Sequence, residues 1–143
     1  MSDPARRILL AILLIGAAGI TVELLLLGHD EDLNQLIPLG LAGATILLGA
    51  VVAIAPSILT VRVFQFTMLL LIVSGALGVY FHYGATTEFQ LEMDPSLTGW
   101  ALFSKAIVAK APPALAPGAM TQLGLIGLAY TFRHPALLSR RNS

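Results

Sequence analysis

Four long apolar runs, separated by short polar stretches, set the pattern of this chain. The first covers residues 8–27. At about 1.5 Å per residue it reaches roughly 30 Å, the thickness of a bilayer's hydrocarbon core. It predicts a transmembrane helix. Arg6, Arg7 and Ala17-Ala18-Gly19 give this run some likeness to a signal peptide. Its length is that of an anchor, since signal-peptide cores stop at about 7–15 residues. Gly28 ends the run, and His29, Asp30, Glu31 and Asp32 form a polar turn.

A second span is expected over residues 36–55. Pro38 falls in its first turn, where the missing N–H has no helical partner anyway, and Pro56 stops it. A third is expected over residues 63–83. It closes on Tyr80, Phe81 and Tyr83, residue types that gather at membrane interfaces. A polar connection over 84–96 follows. Residues 97–111 carry an apolar stripe of Leu97, Trp100, Ala101, Ile107 and Val108, flanked by Lys105 and Lys110. That pattern predicts a short helix lying in the interface. The fourth span, residues 113–132, starts among Pro112, Pro113 and Pro117 and closes at Arg133-His134-Pro135.

Short links make consecutive spans antiparallel neighbours. The expected fold is an all-α membrane protein: an antiparallel four-transmembrane-helix bundle with a short interfacial helix before the fourth span. It forms one integral membrane domain. The pairs Gly40/Ala44, Gly49/Ala53 and Ser74/Gly78 have the spacing that lets helices approach closely.

Composition strengthens this picture. The chain is 57% hydrophobic and 11% charged, against about 25% charged in an ordinary soluble domain. Net charge is zero, so no basic field draws nucleic acid. Absence of cysteine removes disulfides, thiolate metal sites and thiol catalysis. Charge placement sets an orientation. Four spans put both termini on one side, with Arg6, Arg7, Arg62, Arg133, Arg140 and Arg141; Lys105 and Lys110 fall on the other. The excess of positive charge predicts cytoplasmic termini, as in a bacterial inner membrane.

Candidate chemistry gathers at the opposite face. Glu23 lies about one turn inside the first span and shares a helix face with Gly16 and Gly19. Ionisable groups inside spans usually face the bundle, so Glu23 is expected to point inward and bind a cation or hydrogen-bond a neighbour. His29 and His82 close the first and third spans at similar depth, with Glu88 and Glu92 following. His29, His82 and Glu23 are the candidate set for a divalent metal, an N/O donor set. The alternative is two interfacial imidazoles, since no His-x-x-x-His or Glu-x-x-His spacing is present. Glu88 and Glu92 share a face if their stretch is helical, although its alternation also fits a strand. Gln65 and Gln122 lie within spans and are read as hydrogen bonds between helices.

No phosphate loop, nucleophile elbow or dinucleotide fingerprint appears. Three function classes stay open, in this order. The first is a non-enzymatic integral membrane protein that binds a partner or a small ligand, such as a cation, at its outer face through Glu23, His29, His82, Glu88 and Glu92. The second is an oligomeric small transporter or channel subunit. The third is a membrane enzyme with an outer-face His/Glu site. Partners expected are the lipid bilayer and a second copy or another membrane protein. A catalytic site would gather these side chains around a cavity, and a binding surface would leave them spread.

Overall fold

The computed structural model describes residues 4–28, 32–109 and 115–138. Helix accounts for 87% of them, and there is no strand among them. The elements are α1 (Pro4–Leu26), α2 (Leu33–Ile54), α3 (Ile58–Met93), α4 (Gly99–Ile107), α5 (Leu115–Thr131) and α6 (Pro135–Leu138). By length and apolarity α1, α2 and α3 can each cross a membrane.

Local chemistry fixes the ends. Pro4 suits the first helical position, because its fixed φ is helical and its missing N–H is not needed there. The helix therefore begins one turn before the apolar run and carries Arg6 and Arg7. Gly28 takes a left-handed φ of +62° and ends α1, as the residue with no Cβ penalty. Asp32 caps α2, its side chain accepting from the Gln35 N–H at 3.0 Å. α2 thus starts earlier than residue 36. Pro38 falls in its second turn rather than its first. Ser57 and Thr60 form a reciprocal capping box at the start of α3, with bonds of 3.1 and 2.8 Å.

α3 corrects the expected third span and the polar connection after it. It continues unbroken to Met93, 36 residues or about 54 Å. Residues 84–93 contain Glu, Gln, Leu, Met and Ala, which favour helix. A helix already nucleated carries through Gly84 and two threonines. It stops at Asp94 because Pro95 excludes the residue before it from helical geometry. The strand reading of residues 88–93 is not realised.

α1, α2, α3 and α5 touch in a closed ring, each packing on two neighbours. α5 packs most extensively on α3, and glycines set that approach. A Cβ on Gly124 would lie 2.7 Å from the Met68 carbonyl oxygen, and one on Gly78 would lie 2.9 Å from Pro117 Cβ. Gly75 faces Thr121 and the Pro117 carbonyl, and Gly127 faces Met68. Rising numbers on α3 meet falling numbers on α5, so the two run antiparallel. On the other side of α5, Gly16 of α1 faces Leu123. Gly49 of α2 faces Leu14 of α1.

Leu13, Ala17, Val52, Val61, Phe64, Met68 and Leu71 fill the centre. Outward, each helix of the ring shows large apolar side chains: Ile15, Leu47, Phe66, Val73 and Leu125 are all exposed. Such a belt suits a hydrocarbon surrounding. Threonines inside the ring satisfy themselves: Thr45 and Thr67 donate to the carbonyls of Leu41 and Val63 one turn earlier. The ring has two ends, one marked by Arg6 and the other by Gly28.

Candidate functional site

At the Gly28 end, α3 outruns its partners. Gly75 and Gly78 already meet Pro117 near the start of α5, so residues 80–93 rise about 20 Å further. α4 packs on this extension. Ala106 is fully buried, and Leu97 is buried where the chain turns back. Phe103 meets Tyr83 at 6.0 Å between ring centroids and stacks on Trp100 at 5.1 Å. Trp100 itself is 77% exposed. α4 covers residues 99–107, within the segment expected to form an interfacial helix.

The turn between α3 and α4 is pinned by Asp94. One of its carboxylate oxygens accepts from the Ser96 hydroxyl at 2.6 Å and the Ser96 N–H at 3.1 Å. Lys105 lies 3.8 Å from the other oxygen. The hydroxyl bond first, then the backbone bond, hold this carboxyl below its ordinary range, with a smaller contribution from Lys105.

His82, Glu88 and Glu92 are exposed along the α3 extension. Phe81, Ala85, Glu88, Phe89 and Glu92 share a helix face about 100° wide. Glu23 is on α1, and His29 lies outside the described residues. Among the described residues no three His, Asp or Glu side chains gather closely enough to hold a metal ion.

Glu23 also departs from its expected direction. Its side chain is exposed, not turned into the centre. It borders an outward groove of about 340 Å³ between α1 and α5, with Gly16, Gly19, Ala119, Gln122, Leu123 and Ile126. The centre behind α1 is filled by Leu13, Ala17, Ile20 and Leu24, which leaves no room there for a carboxylate. The two glutamines divide. Gln65 donates to Thr131 Oγ1 at 3.3 Å, a bond between α3 and α5. Gln122 is exposed on the groove and has no hydrogen bond among the described residues.

The Arg6 end holds a cluster that the chain's pattern did not announce. Arg6 Nη2 donates to the carbonyls of Phe132 at 2.8 Å and Arg133 at 2.9 Å, and Nη1 reaches that of Tyr130 at 3.4 Å. These are carbonyls that the end of α5 leaves without helical donors. Arg133 adopts a left-handed φ of +49°, and its guanidinium lies 5.5 Å from the Phe132 ring centroid. His134 is buried against Tyr130, its Nδ1 accepting from the Ala136 N–H at 3.3 Å. Burial, and then the Arg6 charge, push the His134 imidazole below its ordinary range.

Comparison with protein families, with curated proteins and with solved structures finds no match to this chain.

Proposed function

We propose that the chain is a non-enzymatic integral membrane protein with four spans and cytoplasmic termini, which binds a partner at its outer face. α5 is the fourth span in this reading. Its 17 described residues contain no charge and reach about 26 Å. It lies along α3 and α1 for that length. Arg6, Arg7, Arg62 and Arg133 gather at the Arg6 end, while Lys105 lies on the α3–α4 hairpin, which supports a cytoplasmic Arg6 end. Trp100, Phe103 and Tyr83 support seating α4 at the outer interface of a bacterial inner membrane.

One observation carries the binding reading. The polar side chains of the outer face spread along a projecting helix instead of converging. Glu88 and Glu92 stand beside Phe81 and Phe89 on a face left exposed among the described residues. Two carboxylates alternating with two aromatic rings complement a partner surface of basic and apolar side chains. The extension is continuous helix, so this face is already formed before a partner arrives. A transport path along the ring axis is not favoured, because Leu13, Val61, Phe64 and Met68 fill it.

A photoreactive side chain at Phe89 tests this in native membranes, with one at Leu47 as the lipid-facing control. The expected result is a discrete protein adduct from Phe89 that disappears in Glu88→Lys/Glu92→Lys. An adduct pattern identical at Phe89 and Leu47, unchanged by the double substitution, would overturn the reading.

A further inference from the structure

We infer that the α1–α5 groove is a symmetric interface at which two copies of this chain meet inside the bilayer, with Gln122 at its centre. The inference rests on the four-span reading, in which Gln122 is deep in the hydrocarbon. It stands about 10 Å from Leu115 and about 14 Å from Thr131, the described ends of α5. Its side chain faces outward and has no hydrogen bond among the described residues.

Several other polar side chains of the ring helices find partners within the chain. Thr21, Thr45, Thr67 and Thr131 donate to carbonyls of their own helices, and Gln65 reaches Thr131. An amide turned toward lipid tails lacks such partners, and a polar group without partners in hydrocarbon is costly. Glu23 borders the same groove, but it stands only about 5 Å below the Gly28 end of α1, where headgroups and water reach it. Gln122 has no such outlet. Something polar must come to it through the membrane.

A second copy supplies the right group. A symmetric membrane dimer has its two-fold axis along the bilayer normal, so each residue meets its own counterpart at the same depth. A carboxamide carries both donors and an acceptor, so two of them satisfy each other reciprocally. Lipid tails offer neither. The surface shape agrees. A Cβ on Gly19 would meet nothing within 4 Å, so the groove floor lies open to an incoming side chain. Ile12 and Ile126 flank it with apolar surface. Small residues beside a polar one make up the usual glue between spans.

The experiment uses the full chain in vesicles of phosphatidylethanolamine and phosphatidylglycerol. Gln122→Cys adds the only thiol to a chain without cysteine. Mild oxidation should give a disulfide dimer, because counterparts at a two-fold axis lie within disulfide reach. Leu47→Cys, on α2 across the ring, should not. Gln122→Leu should weaken self-association roughly 3- to 30-fold by energy transfer between labelled copies, the range set by one to two interhelical hydrogen bonds. Gln122→Asn, which keeps the amide, should lose less. A monomer at every lipid-to-protein ratio, or a groove occupied by lipid only, overturns the inference. So does a dimer that cross-links at Leu47 and ignores Gln122→Leu. Labelling of Arg133→Cys from outside intact cells separates the two failures: it would refute the four-span reading itself, and the interface with it.

Discussion

The guanidinium of Arg6 sits 2.8 Å from the carbonyl oxygen of Phe132, joining the first turn of α1 to the residue that follows α5. A second bond, 2.9 Å to the Arg133 carbonyl, makes the contact a fork. It closes the helix ring at one end, where α5 would otherwise leave carbonyls bare. It also fixes that α1 begins where α5 ends, as antiparallel neighbours must.

Arg6→Ala should lower stability by about 1–2 kcal/mol, below the usual range for bonds to a charged donor because the contact is partly exposed. Arg6→Lys should recover only part of the loss, since an ammonium cannot reproduce the planar fork. Denaturation of the purified protein in detergent, followed by helical signal, measures both. Equal stability of wild type and Arg6→Ala would show that the fork is dispensable.

His134 gives this end a pH dependence. Its pKa is below the ordinary value when folded, so the unfolded chain binds the proton more readily. The stabilisation is therefore complete above the ordinary imidazole value of 6.5 and is lost as pH falls through it toward the folded value. Stability measured at pH 7.5 and pH 5.0 should fall more in wild type than in His134→Phe. Identical pH profiles would contradict the assignment.

Glycine positions on α5 and α2 should divide sharply. A Cβ at Gly124 would lie 2.6 Å from Ile72 Cγ1 as well as against the Met68 carbonyl, so Gly124→Ala must push α3 and α5 apart. A loss of about 1–3 kcal/mol is expected from overpacking. Gly43 has open space where its Cβ would be, and Gly43→Ala should be neutral or stabilising by up to about 1 kcal/mol. Unfolding midpoints of the two variants that moved together would contradict the packing described for α3 and α5.

Much of this was legible from the chain, for identifiable reasons. Apolar length marked α1, α2 and most of α3, and Gly28 and Pro56 marked where helices end. Small-residue spacing found Gly49 and Gly78 at real contacts. It also picked Gly40, which faces open space. Spacing finds a face able to approach a neighbour, but the neighbour's position decides which face does. The extension of α3 was hidden because its polar residues 84–93 resemble a loop in hydropathy while their helix propensity is high. Glu23 was placed on the correct face of α1, beside Gly16 and Gly19, but that face borders a groove on the outside of the ring. The rule that charges turn inward assumes a ring with room inside, and Leu13, Ala17 and Leu24 occupy it. Arg6 and His134 were marked as membrane-edge residues only, because nothing local ties residue 6 to residue 132.

The most direct test of the whole account is the accessibility of single cysteines, which the cysteine-free chain allows without background. Asn34→Cys lies at the start of α2, Pro56→Cys between α2 and α3, Ser96→Cys between α3 and α4, and Arg133→Cys after α5. Intact cells would be treated with a membrane-impermeant maleimide, then permeabilised and treated again. Four spans with cytoplasmic termini predict labelling of Asn34→Cys and Ser96→Cys from outside, and of Pro56→Cys and Arg133→Cys only after permeabilisation. Labelling of Ser96→Cys and Arg133→Cys from the same side would contradict it, because α5 would then not cross the membrane.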